Sequence, residues 1–441
     1  MKKYQNSKVK LNSFDKSFSS DVFLKKPEKY REIEKFCKDT KNIITMGSNY
    51  SYTPLSLSTD SLVLDVKKFN RILDFNKKNK EITVEGGIKI YELLNFTLNY
   101  NLWIPQLPGY PYISLGGAVA TNAHGKSCGL HGTIRKSVKK ILLYHKTHGW
   151  LNLSNKENKE IFELTIGGLG LTGTIVSITF NLTDFIFTEF LTKKKKISTI
   201  SDIVKSFNIQ KNKKSHIYSW NTASDVKNFG EGFIFESTPK KNSNKILKIN
   251  AARKNIYNLP VCFWNKYTIK FVNKIYLKIL DFKEKEFNES FINAVFPFVG
   301  KENYFKLFGS KGFIESQLIV SNYVLNDFLK EVEKICKKDE PLITLLSFKI
   351  IRGDQKLVRF EGNGTCVTLD LVNNQKNQRF LQKIDKLCIE YKVLPSIIKD
   401  SRLSKNIFDQ CYTEAEEFRE KLLKFDKNRV YQSEISHKFK L

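Results

Sequence analysis

Glycine is bunched in this chain, and the bunching limits what the chain can become. Only 22 of 441 residues are Gly, and within the first 182 they gather at 86–87, 109–132 and 167–173. A residue without a Cβ lets backbone approach other backbone, or a ligand, more closely than any other. Three segments carry this property. MGSNYSYTPLSL (46–57) follows the strand-like NIIT. A strand ending in small residues exposes a nest of N–H groups that can take a pyrophosphate, although a plain turn would have the same letters. LPGYPYISLGGAVATNAHGKSCGLHG (107–132) joins paired glycines to a run of small residues, which suits a large flat ligand that His124 could pack on or hydrogen-bond. ELTIGGLGLTGTIVSITFNL (163–182) matches G-x-G-x-x-G at Gly168, Gly170 and Gly173. That fingerprint must open a helix, whereas IVSITFNL reads as a strand. The pattern therefore argues against a Rossmann dinucleotide site and for a ring system resting against strand backbone.

From Ile43 to about Leu182, short apolar runs (NIITMG, SLVLDV, EITVEGG) alternate with amphipathic stretches such as IKIYELLNFTLNY, an α/β texture. The Lys-rich 193–198 reads as a seam, after which the texture changes. Residues 186–390 hold alternating strands (GFIFES, GFIESQLIV, LLSFKIIRG, CVTLDLV) between helical stretches, which predicts an antiparallel sheet backed by helices. Seven Cys at scattered spacings form no zinc pattern, so no metal is expected and the chain reads as reduced. The N-terminus lacks a signal-type apolar core, and no run reaches the roughly 18 apolar residues of a membrane span. The expected location is cytoplasmic, with peripheral contact at the inner face of the membrane as the one refinement.

The formal charge of +29 comes from 74 Lys+Arg against 45 Asp+Glu, and only ten of the 74 are Arg. Arg is the better fork for phosphates and base edges, so a nucleic-acid partner is not favoured and most of the excess reads as compositional bias. One segment is more specific. In VCFWNKYTIKFVNKIYLKILDF (261–282), Lys266, Lys270, Lys274 and Lys278 recur every four residues. Ile269, Phe271, Val272, Ile275, Tyr276, Ile279 and Leu280 fill most of the opposite face. This is a basic amphipathic helix, either a solvated surface helix or one lying in a lipid headgroup layer with Phe263 and Trp264 as anchors. The Lys-rich run 239–254 adds charge beside it.

In order and spacing, the three glycine segments resemble the FAD-binding domain of the vanillyl-alcohol oxidase (PCMH-type) superfamily. Within it, PGYPYISLGGAVATNAHGKS and TIGGLGLTGTIVSITFNL are most similar to the decaprenylphosphoryl-β-D-ribose 2-oxidase subfamily. So are SIIKDSRLS (396–404) and VYQSEISHKFKL (430–441) near the other end. The resemblance implies an α+β protein in three parts. A PCMH-type FAD-binding fold of two α/β subdomains would occupy 1–185, and an antiparallel-sheet substrate domain with flanking helices 186–392. A C-terminal segment, 393–441, would return to the FAD domain.

Carried over by motif, Gly47, Ser48, Asn49, Tyr50, Ser51 and Tyr52 would hold the FAD pyrophosphate. Gly109, Ser114, Leu115, Gly116, Gly117, Thr121, Asn122, Ala123 and Ile175 would line the same cofactor, with His124 and Gly125 near the flavin. Asn49 stands where the family has a second Gly, and Asn tolerates left-handed backbone. Tyr50 stands where some relatives attach FAD through a His, so the expected cofactor is non-covalent FAD. Ser396 replaces a cofactor-contacting Tyr. The family places Lys399 nearest the flavin, as base or as electrostatic stabiliser, with Lys349, Gln317 and His124 as further catalytic candidates. Trp220, Gln317, Lys349, Asp370 and Lys399 would meet the substrate. Thr368 falls where the subfamily often has Cys, and Cys366 lies two residues earlier on the same strand face. The implied reaction is oxidation of a secondary sugar hydroxyl, the 2-OH of a polyprenyl-phosphate-linked pentose, with a separate short-chain reductase completing an epimerisation. Oxidation of a soluble sugar, alditol or aldonolactone is the alternative on the same fold. A basic nucleic-acid binder whose glycine blocks are mere turns is the alternative outside enzymes.

Overall fold

The apolar runs of the first region become strands Ile43–Met46, Leu62–Asp65, Glu81–Glu85 and Thr174–Asn181 in the computed structural model, which describes residues 8–209, 215–223, 229–241, 248–251 and 259–441. They divide between two small sheets. One orders Lys8–Asn12, Ser19–Lys25, Leu62–Asp65 and Ile43–Met46, the last three parallel. The other is antiparallel and orders Ile72–Asn76, Glu81–Glu85, Thr174–Asn181, Val138–His145 and Gly149–Ser154. The helix expected in IKIYELLNFTLNY spans Ile90–Thr97, where Glu92 accepts from the Lys89 N–H at 2.8 Å and closes the first turn.

An eight-stranded antiparallel sheet among the described residues follows the order Glu286–Ser290, Phe187–Ile197, Gly232–Lys241, His216–Asn221, Ile343–Ile351, Gly364–Val372, Phe313–Val320 and Leu394–Pro395. Alternation splits its residues cleanly. Leu318, Val367, Leu369, Leu346 and Phe348 pack with Phe328, Leu329, Phe380 and Leu381 of helices Leu325–Asp339 and Gln375–Glu390. The residues between them face the other way, toward the two small sheets. The C-terminal residues also pack back on the first region: Ile43 N–H donates to Val430 O at 2.8 Å, and Gln432 N–H to Ile43 O at 3.1 Å.

Two local readings are corrected. The Lys-rich 193–198 is not a seam, because it lies almost wholly within strand Phe187–Ile197. Lys194 Nζ donates to the carbonyls of Leu280 and Lys283, and Lys196 pairs with Asp281 at 2.9 Å, so the run holds the C-terminal end of the basic helix. That helix is Lys266–Phe282, opened by a reciprocal cap in which Asn265 Oδ1 accepts from Tyr267 and Thr268 while Thr268 Oγ1 accepts from Asn265 N–H. Trp264 is not a surface anchor. Its ring is buried against Tyr304 and Phe308.

The helix also divides its apolar residues. Ile269 and Leu280 turn inward, whereas Tyr267 (82% exposed), Phe271 (65%), Ile275, Ile279 and Phe282 (90%) stay outside. At 100° per residue those five share an arc of about 120° beside the Lys row. The Lys-rich 239–254 falls partly outside the described residues. No helix among the described residues is long and apolar enough to cross a membrane.

Candidate active site

The three glycine blocks meet at one cavity of about 1160 Å³. The first turns out of strand Ile43–Met46. A Cβ on Gly47 would fall 2.0 Å from Ser114 Oγ, the residue that opens the short helix Leu115–Ala120. Ser48 N–H donates to the same hydroxyl at 3.3 Å, while the Ser48 hydroxyl is buried without a partner among the described residues. Asn49 has φ 58°, the left-handed conformation its side chain tolerates in place of Gly. In the second block, Gly116 N–H donates to Gly86 O at 2.7 Å, and a Cβ on Gly125 would stand 2.1 Å from Leu107 O. The third block closes the end of the short helix, with Gly167 and Leu169 N–H donating to Val119 O and Ala120 O at 3.0 and 2.8 Å.

Gly47, Ser48, Asn49, Tyr50, Ser51 and Tyr52 all line this cavity. So do Gly109, Ser114, Gly116, Gly117, Thr121, Ala123, His124, Gly125 and Ile175. Two cofactor candidates are not brought there. Leu115 is on the inner side of its helix, fully buried in the core. Asn122 turns inward to donate from Nδ2 to Glu361 Oε2 at 2.9 Å, and the other Glu361 oxygen accepts from Thr133 Oγ1 at 3.0 Å. Trp220, Gln317, Lys349, Asp370 and Lys399 line the opposite wall.

That wall is one face of the large sheet. Across it Glu315 registers with Asp370, Gln317 with Thr368, Thr368 with Ser347, Ser347 with Trp220, and Lys349 with both Cys366 and Tyr218. Lys399 comes from the segment after the edge strand Leu394–Pro395, held where Ser396 N–H donates to Gln317 O at 2.8 Å. Its Nζ lies 3.2 Å from Glu315 Oε1 and 3.4 Å from the centroid of the Tyr52 ring.

Sequence reasoning missed Glu315, which becomes the hub of the site. Its Oε1 also accepts from Gln317 Nε2 at 2.7 Å. Asp370 beside it accepts from Tyr304 OH at 2.9 Å. Burial, then the Glu315 charge, push the Asp370 carboxyl well above the usual range, so it holds its proton. Burial lowers the Lys399 ammonium, against the pull of Glu315. His124 is held well below its ordinary value by burial and then by Lys349 and Lys399. It is therefore a neutral imidazole sharing a hydrogen bond with Gln317, its Nδ1 without a partner among the described residues. The clue to Glu315 was present in GFIESQLIV, since residues two apart on a strand share a face. Tyr304 and Lys126, also in the lining, had no such clue.

These features fit a flavin dinucleotide. The cavity is larger than the roughly 300–1,000 Å³ of common ligand pockets. Its first wall has backbone bare of Cβ atoms and an orphaned buried hydroxyl at Ser48, where a phosphate oxygen could accept. Residues 20–149 match the FAD binding domain family. Over 418 residues the chain is 23% identical to decaprenylphosphoryl-beta-D-ribose oxidase of Mycolicibacterium smegmatis, covering 91% of this chain and 90% of that one. It is 29% identical over 153 residues to D-arabinono-1,4-lactone oxidase of Candida glabrata, covering 34% of this chain and 29% of that one. L-galactono-1,4-lactone dehydrogenase of Arabidopsis thaliana is 26% identical over 157 residues, 35% of this chain and 25% of that one. The cofactor is FAD.

Proposed function

We propose that this chain, an FAD-dependent oxidoreductase, oxidises a secondary hydroxyl of a sugar, the 2-OH of a polyprenyl-phosphate-linked pentose, to a ketone. The carrying observation is the continuity of one cavity from the glycine blocks, past Gln317, Lys349 and Lys399, to an aromatic stretch beneath helix Lys266–Phe282. Such a shape has room for a flat cofactor, a sugar and the start of a chain. Similarity over 91% of the chain to the decaprenylphosphoryl-ribose oxidase supports it, whereas the lactone oxidases match only about a third.

The chemistry supplied by FAD when bound is acceptance of hydride from the carbinol carbon. The chain must orient that carbon and remove the hydroxyl proton. Lys399 Nζ and Gln317 bracket Glu315 Oε1, so a hydroxyl against Lys399 has a carboxylate one hydrogen bond away to receive its proton. His124, kept neutral, offers a single N–H to orient the substrate without adding charge. A short-chain reductase acting on the ketone would complete an epimerisation.

A lipid-linked substrate also suits a protein that meets a membrane. The exposed row Tyr267, Phe271, Ile275, Ile279 and Phe282 lies beside Lys270, Lys274 and Lys278, an apolar stripe with a cationic flank suited to anionic lipid. The deciding experiment is anaerobic flavin bleaching by polyprenyl-phosphoryl pentose, set beside soluble pentoses, alditols and aldonolactones. Bleaching by the lipid-linked sugar is expected, and bleaching by a lactone alone would replace this reading with the soluble-substrate one.

A further inference from the structure

Beyond the reacting end, the cavity runs across the large sheet. At ~4.8 Å per strand, Phe235 lies about 10 Å and Glu289 about 19 Å from the Lys349 strand, measured along the sheet. Lys126, Lys283 and Lys301 line this stretch. Lys126 Nζ sits 3.4 Å from the centroid of the Tyr218 ring, buried and without a hydrogen-bond partner among the described residues. Lys283 Nζ sits 3.4 Å from the centroid of Phe287. Burial pushes Lys126 down to about 7, opposed by Glu289 and reinforced by Lys301. Lys283 is lowered by burial too, with the same two charges acting on it. Glu289 also accepts from Thr192 Oγ1 at 3.0 Å. Three lysines against the carboxylates of Glu289 and Glu302 still leave an excess of positive charge between aromatic walls.

A ring face attracts an ammonium but accepts none of its three N–H bonds in the ordinary way. An anion's oxygens would supply the missing acceptors and the missing charge. We propose that Lys126, Lys283 and Lys301 form a phosphate subsite, seating the anion of a prenyl phosphate behind the sugar, with the attached chain between Phe235, Tyr276 and Leu280. The assignment rests on the oxidoreductase reading only for where the sugar lies.

The test uses the FAD-loaded protein and three probes, farnesyl phosphate, farnesol and inorganic phosphate, followed by quenching of tryptophan emission, since Trp220 lines the cavity. Wild type should bind farnesyl phosphate at least tenfold more tightly than farnesol. Lys126→Met should bring that preference below threefold with farnesol binding unchanged. The exposed Lys301→Gln gives a second reading in a variant with no buried group removed. A phosphate preference that survives both substitutions overturns the subsite. Inorganic phosphate binding as tightly as farnesyl phosphate keeps the anion site and overturns the chain channel. Bleaching by lactones alone would sink the proposed reaction while leaving a Lys126-dependent phosphate preference standing, so the two failures are separable.

Discussion

Lys399 and Glu315, with the protonated Asp370 beside them, form a cluster that sums to zero charge, and this predicts an inversion of sign. Lys399→Met leaves the Glu315 carboxylate, 6% exposed, without its cation. Removing one partner of a buried pair costs about 3–5 kcal/mol, and the lower end applies because Lys399 keeps 23% exposure to the cavity. Glu315→Gln in the wild type should cost less, about 1 kcal/mol. Asp370 owes part of its raised pKa to Glu315 and feels Lys399 as an attractive charge, so it can ionise and take over as counter-ion. In the Lys399→Met background the same Glu315→Gln removes an unpaired charge and should stabilise by about 1–2 kcal/mol, a coupling of about 2–3 kcal/mol. The assay is urea unfolding of the four proteins at pH 7.5, followed by far-ultraviolet circular dichroism. Additive effects, or a Glu315→Gln that destabilises both backgrounds, would refute the three-group charge balance. Lys399→Met should also keep its yellow colour and lose flavin reduction by substrate, and rapid bleaching in that variant would remove Lys399 from the reaction.

Three further outcomes are expected. Gly125→Ala drives a Cβ into the Leu107 carbonyl, 2.1 Å away, and should destabilise by about 1–3 kcal/mol and lower flavin content, while Gly109→Ala, whose nearest neighbour is 3.7 Å off, should purify yellow. Absorbance of the two proteins near ~450 nm checks this, and equal flavin content would count against the tight glycine packing. Asp370 has a folded pKa above its unfolded one, so its contribution to stability is present at low pH and lost as pH rises through the raised value. Asp370→Asn should therefore flatten the fall in stability that sets in as pH rises above the ordinary carboxylate range, and an unaltered profile contradicts it. Lys270, Lys274 and Lys278 have no ion-pair partner among the described residues, whereas Lys266 pairs with Glu340 at 2.9 Å. At about 1 kcal/mol each, reversing the first three to Glu should weaken binding to phosphatidylserine vesicles by about 3 kcal/mol or more. Unchanged co-sedimentation, or none in the wild type, removes the membrane contact.

The glycine blocks were legible in the sequence because their constraint is local. A missing Cβ, a left-handed Asn49 and a strand after Gly173 each follow from a few neighbouring letters. Strand alternation was equally local and aims Gln317 and Lys349, each between apolar neighbours, into the cleft. Register was not legible. Nothing within GFIESQLIV or CVTLDLV says that Glu315 stands opposite Asp370, because that pairing is set by a sheet whose strands come from 187 to 395. The same limit explains the Lys-rich 193–198. Read as letters it is a charged seam, but its partner is a helix end some 85 residues away, visible only once Lys194 meets the Leu280 carbonyl. Trp264 failed as an anchor for a related reason: its aromatic partners, Tyr304 and Phe308, lie about forty residues on.

What matters in a chain of charge +29 is which cations lack a counter-ion. At the reacting end Lys399 meets Glu315, and Asp370 carries its proton beside them, so that end is already neutral and suits an uncharged sugar hydroxyl. Farther along, Lys126 Nζ is buried without a hydrogen-bond partner among the described residues, and Glu289 and Glu302 face three lysines. A neutral lactone would satisfy the first arrangement and leave the second unanswered. A substrate that is neutral where it is oxidised and anionic behind that point satisfies both.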